Sequence, residues 1–170
     1  MSTIEPCPLP DGALLKQYAR DGAYTDCYVT DVAGTVTQSE YIAAFYTTTV
    51  FKLERLILNI AVSMPSTDDQ ARKLAAGARD TFAAWHVEAR GEDQLLMCDF
   101  QRRTRSWLMV APMPGGIGHR TRLYFGSAVV PVKNSRTGQL SLGPVFRALL
   151  VFHKIYSRIL LHSAKRRLQK

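Results

Sequence analysis

Residues 98–110 read CDFQRRTRSWLMV, with three arginines threaded through apolar and aromatic residues just after Asp99, the last acidic residue of the chain. On a strand, alternate residues share a face. Arg105, Trp107, Met109 and Ala111 therefore point one way, and Ser106, Leu108 and Val110 the other. An indole and a thioether suit the wall of an apolar pocket. An arginine at the rim of such a pocket can hold a carboxylate or phosphate through two parallel hydrogen bonds. Arg120, Arg122 and Tyr124 share a face of a later segment and can add donors. Asp99 is the nearest counter-charge, and a plainer arrangement has it paired with Arg105 or Arg122 across strands, where it would fix register. Arg102 and Arg103 fall at a hairpin turn and are expected in solvent.

A second group of polar residues sits in the last segment, GPVFRALLVFHKIYSRILLHSAKRRLQK. At 100° per residue, Phe146, Leu149, His153, Tyr156, Leu160 and Ala164 fall on one arc. Arg147, Lys154, Arg158 and Lys165 fall in a narrow wedge opposite, which is expected to face water. His153 lies near the centre of the apolar arc, with Tyr156 and Ser157 a turn on. An imidazole there needs a partner, either a strand group in the core or a ligand in a cavity between helix and sheet. The candidate ligand-binding set is thus Asp99, Arg105, Trp107, Arg122, Tyr124, His153 and Tyr156. A His153–Asp99 pair across a cavity could move protons in a cofactor-free cyclisation or dehydration.

Other catalytic signatures are missing. The chain has no GxSxG, HExxH or P-loop, and no GxGxxG followed by an acidic residue. GGIGH at 115–119 reads as a hairpin turn. His86, His119, His153 and His162 are scattered, so neither a metal nor another cofactor is expected.

The elements that must position these residues can be read from periodicity. Residues 1–22 carry prolines and glycines before any periodic pattern and read as an N-terminal arm, with one domain over 23–170. AYTDCYVTDV (23–32) alternates like a strand. In TQSEYIAAFYTTTVFKLERLILNIAV (37–62), Thr37 and Glu40 form a capping-box signature, and apolar residues recur at helical spacing. The β-branched run Thr47–Val50 is a weak point where this helix divides or bends. Thr67 or Asp68 can cap a short second helix. FAAWHVEAR, QLLMCDF, TRSWLMVAPM and HRTRLYFGSAVVPV then alternate with period two. Short turns at Gly91-Glu92-Asp93, Gln101–Arg103 and Pro114-Gly115-Gly116 make these strands antiparallel neighbours. KNSRTGQLSLGP reads as a loop, and Pro144 suits the first turn of a long helix. The expectation is an α+β fold: a curved antiparallel β-sheet gripping a long C-terminal α-helix, with a helix pair after the first strand.

This order, with TDCYVTDV, LLMCDFQRRTRSWLMV and FRALLVFHKIYSRILL, resembles the START-like (helix-grip, SRPBCC) superfamily of polyketide cyclases and lipid-transfer domains. It is most similar to an uncharacterised bacterial branch, over roughly residues 20–168. The resemblance implies a cavity between sheet and C-terminal helix for an apolar or amphipathic small molecule. The residues above would fit such a ligand with an acidic group, held by a carrier, a sensor or a cofactor-free enzyme.

Charge points to a competing class of function. Residues 1–99 hold 8 Lys/Arg and 14 Asp/Glu, whereas residues 100–170 hold 14 Lys/Arg and no acid. Arg158, Lys165, Arg166, Arg167 and Lys170 could bind nucleic acid or an anionic membrane surface. The aromatics do not cluster with this tail as stacking platforms would. Cys7, Cys27 and Cys98 are scattered and odd in number, which fits a reducing cytoplasm. No apolar run reaches the length of a spanning helix, and the N-terminus lacks the apolar stretch of a signal peptide. A cytoplasmic, soluble or at most peripheral protein is expected.

Overall fold

The computed structural model describes residues 3–52, 66–113, 119–133, 140–142 and 144–170. Seven strands form one antiparallel sheet: β1 (Glu5–Pro6), β2 (Tyr24–Ala33), β3 (Thr81–Phe82), β4 (Trp85–Arg90), β5 (Gln94–Asp99), β6 (Thr104–Pro112) and β7 (Arg120–Val129). Their order across the sheet is β1-β2-β7-β6-β5-β4-β3. Residues 85–112 thus form the expected meander, and β7 closes back onto β2. A small ribbon, β8 (Val132–Lys133) with β9 (Leu140–Ser141), lies within the stretch read as a loop. The turn expected at Pro114-Gly115-Gly116 lies outside the described residues.

The helices start where side chains can take up free backbone N–H groups. In α2 (Gln38–Tyr46), Thr37 accepts from the Glu40 N–H while Glu40 reaches back to the Thr37 N–H at 2.8 Å. Thr67 and Gln70 form the same reciprocal cap on α3 (Asp68–Ala75). The expected weak point is real. Thr47 donates its hydroxyl to the Ala43 carbonyl at 2.6 Å and Thr48 donates to that of Phe45 at 3.0 Å, which ends α2. The Phe51 N–H then donates to the Thr48 hydroxyl at 3.1 Å, and residues 49–52 are helical again. The remainder of the segment expected to be helical, 53–62, lies outside the described residues. A short α1 (Lys16–Arg20) precedes β2, and α4 (Pro144–Leu168) closes the chain. Among the described residues, no helix is long and apolar enough to cross a membrane.

Both faces of the sheet are covered. On the helix side, Tyr28, Val32, Met97, Leu108, Leu123 and Phe125 meet Tyr41, Phe45, Leu74, Leu160, Leu161 and Ala164. On the back, Cys27, Leu96, Trp107 and Ala128 pack under Ala13 and Leu15. The stretch expected to lead into the domain is therefore a cover for the sheet, tied down by β1 on β2 and by the Cys7 thiol, 3.3 Å from that of Cys27. Gly126 makes this close approach possible. A Cβ there would stand 2.9 Å from the Asp26 carbonyl oxygen, 2.9 Å from Leu15 and 3.0 Å from the Trp107 ring.

Candidate functional site

The register divides the residues expected to form one pocket. Trp107 faces Gly126 across the β6–β7 ladder and Ser106 faces Ser127. Arg105, Trp107, Arg122 and Tyr124 therefore belong to the back face, under the N-terminal residues, while His153 and Tyr156 belong to α4 on the other side. A single cavity lined by all of them is ruled out. Alternation specifies which residues share a face, but not which face the last helix covers.

Asp99 joins neither group. Its Oδ1 accepts from the backbone N–H groups of Arg103 at 2.7 Å and Thr104 at 3.0 Å, and Arg102 takes a positive φ of 58°. It shapes the β5–β6 hairpin and pairs with neither arginine expected to meet it. Arg105 is buried against Glu88 at 2.9 Å and the Tyr18 hydroxyl at 2.9 Å. Burial alone would lower the guanidinium, but the Glu88 carboxylate, with Cys98 and Tyr18, holds it above its ordinary value. Burial and the Glu88 contact push the Tyr18 phenol up to about 12. Arg122 donates to Asp31 at 2.8 and 3.2 Å. Both arginines are committed to acids of the first half of the chain. Tyr124 lies beside Trp107, their ring centroids 6.1 Å apart.

His153 finds its partners in two residues that periodicity did not single out. Asp26 of β2 and Ser127 of β7 face each other in the ladder. Asp26 Oδ1 accepts from the Ser127 hydroxyl at 2.5 Å and its backbone N–H at 3.1 Å. His153 Nε2 lies 2.7 Å from Ser127 Oγ and 3.2 Å from Asp26 Oδ2. Tyr24 donates to Asp26 Oδ2 at 3.3 Å and meets the imidazole edge-on. Burial, then the Asp26 charge, pushes the Tyr24 phenol up. Because the Ser127 hydrogen goes to Asp26, Nε2 must carry its own and donate. A nucleophile relay needs the serine on one ring nitrogen and the acid on the other. Here both meet the same nitrogen, so the cluster braces α4 onto β2 and β7. Its signal in the sequence was an acid, Asp26, in phase with Tyr24, Tyr28 and Val32 on an alternating strand.

A cleft of about 740 Å3 opens where the last turns of α4 overhang the ends of β2 and β7. Arg120, Lys165, Arg166 and Lys170 line it with Asp31, Ala33, His162 and Gln169. Lys165, expected in the solvated wedge, is buried, and its Nζ donates to the Thr30 hydroxyl at 3.2 Å. Burial holds its ammonium below the ordinary value, with Asp31 opposing and Arg120 reinforcing the shift. The correction has a simple cause: α4 turns its 157–165 stretch onto β2 through Ser157, Leu161 and Ala164, so Lys165 falls at the edge of the buried face. A smaller cleft of about 260 Å3, lined by Thr48, Thr49, Ser163, Arg166, Arg167 and Lys170, flanks the same helix end. Among the described residues, no group of three or more His, Cys, Asp or Glu could hold a metal ion.

No protein-family model, curated protein or solved structure matches this chain.

Proposed function

We propose that the protein binds a small amphipathic molecule through its acidic group, in the cleft between the ends of β2 and β7 and the C-terminal helix. The observation that carries this reading is the cleft's charge. Four cationic side chains line it with one acidic side chain, Asp31, which already accepts two hydrogen bonds from Arg122 and also lies 4.0 Å from the Arg120 guanidinium. A carboxylate or phosphate entering beside Arg120, Lys165 and Arg166 would offset that excess, and guanidinium groups suit bidentate contact with either. The aliphatic stems of Lys165, Arg166 and Lys170, with Ala33, offer surface for an apolar portion. Arg105, Arg122 and Asp99 take no part, since each is engaged elsewhere.

The arrangement of a seven-stranded antiparallel sheet under a long closing helix is compatible with a START-like, helix-grip fold. The cleft lies at the end of the sheet, where the helix overhangs Asp31, Ala33 and Arg120. A carrier or sensor fits best, because the His153 cluster lacks the geometry of an activated nucleophile. Native mass spectrometry of protein purified from its own host tests the proposal. The expected result is a co-purifying acidic molecule that is lost from the Arg120→Gln, Arg166→Gln variant. A bound molecule retained by that variant would overturn it.

A further inference from the structure

The outer face of α4 is apolar where a helix covering a sheet should be polar. Val151, Phe152, Ile155 and Ile159 are 69, 63, 51 and 44% exposed. Val151, Ile155 and Ile159 stack at i, i+4 and i+8, with Phe152 beside them, so they form one stripe. The Phe152 ring stacks on that of Tyr156 with centroids 5.9 Å apart, which fixes it at the edge of the stripe. This face lies opposite the buried side defined by Ser157, Leu160, Leu161 and Ala164. It is a second apolar face, unrelated to packing on the sheet.

The surroundings of the stripe select its partner. Lys154 and Arg158, both exposed, run along one flank, and Arg166 continues the same face towards the C-terminus. No acid occurs anywhere in residues 100–170, so the helix supplies none. The Arg158 guanidinium lies 5.3 Å from the Tyr28 ring centroid, which holds that charge close to the body at the base of the flank. A second copy related by a two-fold axis would set Lys154 and Arg158 against their own counterparts. Nucleic acid would meet the cations but leave the aliphatic side chains in water. An anionic bilayer meets both needs, because its acyl boundary takes up the apolar stripe and its headgroups the flanking cations.

We infer that α4 docks on anionic membrane through the Val151, Phe152, Ile155 and Ile159 stripe, lying in the plane of the headgroups. The inference stands apart from the cleft, whose binding residues lie in the last turns of the helix and on the sheet. It places the cleft's open side near the lipid surface.

Cosedimentation of the full chain with phosphatidylcholine vesicles, with and without phosphatidylserine, tests it. Binding is expected only with phosphatidylserine. Phe152→Ser with Ile155→Ser should weaken it about tenfold or more, since insertion of the apolar face is lost. Lys154→Gln should weaken it about fivefold, the share of one cation near an anionic surface. Both variants should unfold close to the wild-type temperature, because these side chains are more exposed than buried. Should the double variant misfold, Phe152→Trp gives an independent reading: its emission should shift to the blue on anionic vesicles. Several results would overturn the inference: no binding, binding indifferent to the double substitution, no emission shift, or a concentration-dependent dimer abolished by the double substitution.

Discussion

Ser127 gives its hydroxyl hydrogen to Asp26, at 2.5 Å, and so leaves His153 Nε2 to act as the donor of the cluster. The three residues join β2, β7 and α4 at one point. His153→Leu should therefore destabilise the fold by about 1–3 kcal/mol, the usual cost of stranding a buried polar partner. Asp26→Ala should cost more, since it abandons Ser127, Tyr24 and His153 together. Chemical denaturation of the two variants checks the order, and an unchanged or more stable His153→Leu would refute the brace.

Lys165 makes stability depend on pH with a particular sign. Its folded-state value is depressed below the unfolded 10.5, so in that interval the unfolded chain binds the extra proton. Stability from this group is then lowest at acid and neutral pH, and rises as pH climbs through the depressed value towards 10.5. Tyr18 and Tyr24, held above their ordinary 10.0, act in the opposite sense beyond pH 10. Thermal melts on the approach to pH 10.5 should show a rising component that Lys165→Met removes. An identical slope in the variant would show that Lys165 titrates as in the unfolded chain.

On the back of the sheet, Glu88 is the acid that accompanies buried Arg105. Glu88→Gln should destabilise the protein by about 1–3 kcal/mol, because a charged donor loses its counter-charge. Binding of an acidic probe in the cleft should not change, since neither Glu88 nor Arg105 lines it. Loss of probe affinity without loss of stability would restore Arg105 as a ligand residue.

Gly126→Ala tests how tightly the N-terminal cover is seated. The added methyl would meet a backbone oxygen at 2.9 Å, which cannot rotate away as a side chain can. A loss of about 1–3 kcal/mol is expected from overpacking. Proteolysis should also cut earlier within residues 7–20, because Leu15 is the side chain displaced. A variant as stable as wild type would mean that β2 and β7 shift freely at this point.

Much of the architecture was legible because local signals and tertiary structure agree. Period two marked β4 to β7, and the Thr37–Glu40 and Thr67–Gln70 pairs marked two helix starts through backbone groups that need a partner. The division at Thr47–Thr48 was legible too, as a weak point in the β-branched run to Val50, and the structure adds its cause, since the two hydroxyls bond helix carbonyls. The candidate site was not. Parity placed Arg105 with Trp107 correctly, yet covering that face with the N-terminal residues is a long-range choice between Leu15 and α4 that no local pattern records. The roll of α4 was equally hidden. A helix with apolar residues on two sides offers two ways to sit, and the wheel alone could not say that Phe152 and Ile155 face out while Lys165 turns in.

The most direct measurement is a titration of the 15N-labelled full chain with hexyl phosphate below its critical micelle concentration, followed by backbone NMR. The account predicts saturable shifts centred on Asp31, Arg120, Lys165 and Arg166. It also predicts that the Arg120→Gln, Arg166→Gln variant binds at least about tenfold more weakly, as expected when charge-assisted hydrogen bonds are removed. Shifts that do not saturate, or that centre on Arg105 and Trp107, would contradict it.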